Sequence, residues 1–389
     1  MKRSPSSRRG RTSREVENLV QLAEGISQSG SKPEDYFWSK KLELEIESCF
    51  LEDNEMSLNA ALDKLADRES RAHEELADAI EGCVEHEYLH ENNNQTEVLL
   101  FAAPILAWSR QGLETKLISS NQLNEIKKAL KTHVFTELSS VTLANFLYSP
   151  DQLPETFIDT RELRIAMTKC LPSKQFKVDQ SKLKQTTKFL ADQRYFLGVV
   201  SVPKNEPIFQ WQEGLVGKEE VLASWKKVGG NLIAKLMPQS AFELVLPRAY
   251  YVACRDADRS SRQFSIEASV AYLSSTLEIS TESLVAIVGG CYSRHLEEYR
   301  IGFTIKNNEN VFHGVVWPLL GPEDELSDVV EEVEECLKNC GISHFITLDQ
   351  RLPMEYCDDC GAPLYPNVDG DMTHAEFPVQ DEETSNNLH

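Results

Sequence analysis

Two sets of residues have types and spacing suited to metal chemistry. The first is Cys357-Asp-Asp-Cys360-Gly361-Ala-Pro363-Leu364. A two-residue gap lets both thiolates reach one Zn²⁺, and glycine after the second cysteine permits the tight turn of a zinc knuckle. A closed tetrahedral site needs four ligands, so one pair is half a site. Cys336 and Cys340 lie upstream at a ribbon-like distance. However, they continue the apolar stripe Leu326, Val329, Val333 of an amphipathic helix, which marks them as core. Cys254 and His374 remain as candidates, and the expected metal site is Cys357, Cys360 and His374. Sharing a ligand pair across a homo-oligomer is another way to complete it. A reduced, metal-free pair is the bland alternative. A redox-active pair is the weakest reading, because no helical pattern follows Cys360.

The second set, His86-Glu87-Tyr88-Leu89-His90, spells H-E-x-x-H. On a helix, two histidines four apart share a face and hold Zn²⁺, while the glutamate acts as general base on the bound water. Here Glu91 and three asparagines follow at once, which signals a turn. The segment therefore reads as a hairpin strand. At ~3.3 Å per residue, the two rings stand ~13 Å apart along a strand and cannot chelate one ion. Glu114 and Glu125 are conceivable third ligands, but nothing selects either. Gly289-Gly290-Cys291 reads as a glycine-terminated helix carrying a buried cysteine. Phe209, Trp211, Phe312 and Trp317 lie on expected hairpins that are not basic, with Lys204 the one basic residue in the first turn, so they read as core or pocket lining rather than base-stacking platforms. Phosphate-loop, dinucleotide-loop and serine-hydrolase motifs are absent from the sequence.

The elements that must position these residues follow a repeated order. Residues 13–69 read as all-helical, with Val16, Leu19, Val20, Ala23 and Ile26 on one face behind a Thr12-x-x-Glu15 cap. Three α+β modules then follow, over 70–154, 155–258 and 259–366. Each shows a helix, a strand, a polar turn, a strand, a second helix and a strand running towards Leu-Pro or Pro. In the second the order is helix 181–191, hairpin 195–212, helix 218–236 and strand 242–246. In the third it is helix 281–291, hairpin 299–317, helix 323–339 and strand 344–348. Short strands at 175–178 and 276–279 would complete βαββαβ units, so the expected class is α+β with two or three tandem ferredoxin-like modules. Boundaries fall at Pro154 and near 256–260.

Charge sorts the remaining possibilities. The 389 residues carry 62 acids against 40 bases, a net charge of −22. The first 14 residues hold six bases and no acid, and residues 1–12 read as a disordered basic arm. So acidic a body repels nucleic acid and anionic lipid, leaving the arm as the one place for a phosphate-bearing partner. Residues 367–389 read as a disordered acidic tail. The most apolar run, 98–108, is far short of the ~20 residues of a membrane span and contains Pro104. With no apolar leader core and nine cysteines, the chain is expected to be cytoplasmic with reduced thiols.

The segments Val98-Leu-Leu-Phe-Ala-Ala-Pro-Ile-Leu-Ala-Trp-Ser-Arg110, Phe146-Leu-Tyr-Ser-Pro-Asp-Gln-Leu-Pro154 and Cys357-Asp-Asp-Cys-Gly-Ala-Pro-Leu-Tyr-Pro366 resemble a full-length family of beta-proteobacterial hypothetical proteins defined only as a domain of unknown function. The resemblance implies a bacterial cytosolic protein and transfers no catalytic residue. The leading expectation is a non-enzymatic binding or regulatory protein for an unknown small ligand or protein, with a zinc knuckle. The alternatives are a metal-dependent hydrolase using His86, Glu87 and His90, and a nucleic-acid-associated protein using the arm.

Overall fold

The computed structural model describes residues 13–377, except 67–69, 92–93, 110–112, 172–174, 187–190, 307, 309 and 322. The arm at 1–12 and tail residues 378–389 lie outside the described residues. The chain opens with four helices, α1 (Arg14–Ser27), α2 (Lys32–Leu51), α3 (Glu55–Ala66) and α4 (Ser70–Glu85). Ser13 caps α1, its Oγ accepting the Val16 N–H at 3.2 Å. The helices close around Leu19, Leu42, Ile46, Leu58, Leu65, Leu76 and Ile80, and the expected face of α1 (Val16, Leu19, Val20, Ala23, Ile26) is part of this core.

The central sheet follows: β1 (His86–Glu91), β2 (Asn94–Trp108), β3 (Lys116–Leu117), α5 (Ser120–His133), β4 (Ser140–Leu143), β5 (Phe146–Leu147), α6 (Phe157–Thr168), β6 (Ala191–Pro203), α7 (Lys218–Leu236), β7 (Ala241–Leu244) and β8 (Arg248–Ala249). β2 and β6 form its antiparallel spine, from Thr96↔Pro203 to Trp108↔Ala191. Two β–α–β units interleave on this spine. β4, at the end of β2–α5–β4, pairs with β6, and β7, at the end of β6–α7–β7, pairs with β2. The order β7-β2-β6-β4 therefore uses strands from both sides of Pro154. Read in chain order, β2-α5-β4-β6-α7-β7 is one βαββαβ unit that spans Pro154, so the correction is to the boundary and the tandem arrangement: among the described residues, 70–154 and 155–258 do not each form such a module.

Both faces of the sheet are covered. Leu99, Phe101, Ile105 and Phe196 pack under α5 and α7, while Val98, Leu100, Leu106 and Leu197 pack under α6 and a long helix, α8 (Tyr250–Leu277). This double burial explains the unbroken apolar run at 98–107. It also accommodates Pro104. The Pro104 carbonyl accepts the Val245 N–H at 3.1 Å, so its nitrogen faces the same edge, at the break between β7 and β8, where no ladder donor is needed.

Residues 256–260 lie inside α8. Tyr250, Ala253 and Ala257 on its first half pack on the central sheet, and Ile266, Val270 and Leu273 on its second half pack on the next. That second sheet contains β9 (Leu284–Tyr292), β10 (Leu296–Ile305), β11 (His313–Pro318) and, after α9 (Val329–Asn339), β12 (His344–Pro353). Its order is β11-β10-β9-β12, with β12 parallel to β9. The segment 281–291, expected as a helix, is a 3-10 turn running into β9. A strand buried on both faces reads as a continuous apolar run, which periodicity cannot distinguish from a buried helix. The expected strand 276–279 is the end of α8, and 175–178 supplies one bridge, Ala144↔Phe176. The last described strands, β13 (Tyr365–Pro366) and β14 (Met372–Thr373), form a hairpin, which corrects the expectation of disorder from residue 367 onward. Among the described residues, no helix is long and apolar enough to cross a membrane.

Candidate metal centre

The C-terminal segment crosses the face of the second sheet opposite α8 and α9, and the sheet is shaped to receive it. Gly302 and Gly314 are cross-strand partners on β10 and β11. A Cβ on Gly302 would lie 2.3 Å from the Pro366 oxygen, and one on Gly314 2.3 Å from the Tyr365 ring. Glycine at both positions lets main chain and ring lie flat on the sheet. Gly289, in β9, makes room for Leu352 in the same way, which corrects its expected role as a helix end. Burial raises the neighbouring Cys291 thiol to about 11, so it is an inert core group.

Arg300 fastens the segment. Its side chain is fully buried on β10. Nε donates to Glu298 at 2.7 Å, and Nη1 donates to the carbonyls of Leu364 (2.9 Å) and Glu355. The Tyr356 ring lies 4.9 Å from the guanidinium carbon. One buried cation therefore satisfies carbonyls on both sides of the Cys-x-x-Cys turn.

That turn is a knuckle. Tyr356 bridges Pro363, the Cys357 N–H donates to the Ala362 oxygen at 2.8 Å, and the Gly361 N–H donates to the Cys357 oxygen at 2.8 Å. Gly361 has φ +71°, which glycine adopts without strain. The backbone N–H of Cys360, then that of Asp359, and then the Cys360 thiol hold the Cys357 thiol below its ordinary value. The β13–β14 hairpin, organised by Asn367 Oδ1 accepting the N–H groups of Asp369 and Asp371, returns the chain so that His374 meets the knuckle. Cys360 Sγ lies 3.3 Å from His374 Nε2, and ligand atoms of Cys357, Cys360 and His374 all lie within 4.8 Å of one another. Zn–S bonds of ~2.3 Å at tetrahedral angles place two thiolates about 3.8 Å apart, so the trio has the donor set and the scale for one Zn²⁺. A tetrahedral ion would draw its fourth ligand from outside the trio.

The other candidates do not join it. Cys336 and Cys340 pack in the second core on α9, hydrogen-bonded to each other. Cys254 is half-buried in α8, its thiol raised to about 12 chiefly by desolvation. His86, Glu87 and His90 lie on β1, paired with β2 in the expected hairpin. His86 bonds Glu97 at 3.0 Å, His90 bonds Gln95 at 2.6 Å, and Glu87 pairs with buried Arg164. The motif that would make a zinc hydrolase is thus taken up in three separate pairs. Phe209 and Trp211 stack at 4.3 Å beside the first core, and Phe312 and Trp317 are buried in the second. Arg300 escaped the sequence analysis. Its one signal is an arginine inside the apolar run Tyr299-Arg300-Ile301-Gly302-Phe303.

Neither a curated protein nor a solved structure matches the chain. A family match does exist, and it spans the helical segment, both sheets and the knuckle. Residues 4–388 match the family described as "Protein of unknown function (DUF2863)", and the chain belongs to it.

Proposed function

We propose that this chain is a non-enzymatic, zinc-dependent binding protein in which Cys357, Cys360 and His374 hold one Zn²⁺ that locks the C-terminal segment onto the second sheet. The observation that carries the reading is the meeting of three ligand atoms from two separate turns within 4.8 Å. Two thiolates and an imidazole suit Zn²⁺ better than an oxygen-seeking cation. The nine cysteines are free thiols, which suits a reducing compartment where the pair stays available to metal. Beside the segment lies an open depression of about 700 Å³, lined by Val285, Thr304, Lys306, His344, Ile346 and Val368. It gives the expected small ligand or partner a place next to the metal-held strap.

Elemental analysis of protein purified under reducing conditions tests the reading. About one zinc per chain is expected. Cys357→Ser/Cys360→Ser should lose it, His374→Ala should weaken it, and His86→Ala should retain it. Zinc-free wild-type protein that takes up none on titration would refute the proposal, and zinc lost in His86→Ala would return the metal to β1.

A further inference from the structure

Helix α2 is apolar on two sides. Leu42, Ile46, Cys49 and Phe50 face the helical core. Phe37, Leu44 and Leu51 stand on the other side, 49%, 64% and 81% exposed. They recur every seven residues, so they form one nearly straight stripe along the helix. A helix that had only to cover its own core would place polar residues at 37, 44 and 51.

The charges on α2 state what fits against the stripe. With 37, 44 and 51 as the core positions of a heptad, the positions between them are Lys40 and Glu47. Parallel pairing of two such helices sets Lys40 against Lys40 and Glu47 against Glu47. Antiparallel pairing about Leu44 removes both like-charge pairs: it sets Glu47 against Lys41 twice, Lys40 against Ser48, Phe37 against Leu51 twice, and Leu44 against itself. Residues 43–53 carry five acids and no base, whereas 32–41 carry three lysines and two acids, so opposite ends attract. The helix dipoles add to the same preference.

We propose that α2 is the contact between two copies of this chain, antiparallel across a two-fold axis at Leu44. The contact is isologous and closes at a dimer. The proposal is independent of the metal reading, because the two surfaces share no residue.

Sedimentation of the full chain over a roughly hundred-fold concentration range tests it. A monomer–dimer equilibrium is expected. Leu44→Glu should weaken the dimer about ten-fold or more, and Lys41→Glu should weaken it less, both with unchanged zinc content and circular dichroism. Under mild oxidation, a mixture of Phe37→Cys and Leu51→Cys proteins should form a mixed disulfide dimer, while Phe37→Cys alone should not link to itself. A monomer throughout the range, or a dimer indifferent to Leu44→Glu, overturns the proposal. Self-linking of Phe37→Cys overturns the antiparallel arrangement.

Discussion

Replacing Arg300 with methionine removes the cation that fastens the C-terminal segment, while keeping a side chain of similar length. Three groups then lose their donor inside the protein: the Glu298 carboxylate and the carbonyls of Glu355 and Leu364. Each stranded carbonyl costs about 1–3 kcal/mol, and removing one partner of a buried ion pair costs about 3–5 kcal/mol. Glu298 is only 14% exposed, so solvent relieves little of this. The strain is local, and the cheapest relief is release of residues 354–366 from the sheet. Hydrogen exchange reads that opening directly. The Cys357 and Leu364 N–H groups, bonded to the Ala362 and Glu355 oxygens, should exchange roughly 100- to 1,000-fold faster, while β2 and β6 stay protected. Zinc affinity should fall with them, because the ligands must first be gathered. Arg300→Met/Glu298→Leu should recover part of the loss, since no carboxylate is left stranded. Unchanged protection at Cys357 and Leu364 in Arg300→Met would refute the reasoning.

Two further predictions concern pH. His313 is half-buried on β11, its Nε2 2.9 Å from Ser269 Oγ, and desolvation lowers its pKa from 6.5 to about 4. The unfolded chain therefore binds the proton first. This stabilising contribution is complete above pH 6.5 and disappears as pH falls towards 4, a loss of about 3 kcal/mol. Urea midpoints at pH 7 and 4.5 should differ less in His313→Gln than in wild type, and equal differences would refute this. Glu85 behaves in the opposite sense. Its carboxylate accepts the Tyr251 N–H at 3.1 Å at the start of α8, yet desolvation first, and Glu81 after it, raise it to about 7 against Arg255. Its contribution is favourable below pH 4.5 and is lost as pH rises through 7. Glu85→Gln, which keeps an acceptor oxygen, should raise the urea midpoint at pH 8 and leave it nearly unchanged at pH 4.5. Destabilisation at pH 8 would show that the charge itself holds the helix.

Local signals set much of the secondary structure. Helix α7 occupies 218–236 as its periodicity predicts, because one face is core and the other is water. The asparagine turn after His90 places His86 and Glu87 on a strand, and the strand period alone then keeps the two histidines from sharing an ion. The cysteine spacing and the following glycine define the knuckle, because its turn closes within five residues. Long-range pairing was hidden. Strand β9 is buried on both faces, so its pattern carried no period. The interleaving of β2 with β6 depends on which long apolar strands meet, and similar β–α–β segments do not encode whether they stack in series or cross-pair. Likewise α8 serves two cores, so its faces change along its length and its pattern blurs.

By itself, then, the sequence determined many of the local elements, the acidic body and the thiol and imidazole groups offered by Cys357, Cys360 and His374, since each depends on residues close in the chain. Only the tertiary structure decided that His374 reaches the knuckle, that Arg300 and the paired glycines hold that segment to the sheet, and that His86 and Glu87 are committed to separate partners. Those outcomes depend on contacts between residues far apart in sequence, such as Arg300 with Leu364 and Glu87 with Arg164, and no local spacing carries that information.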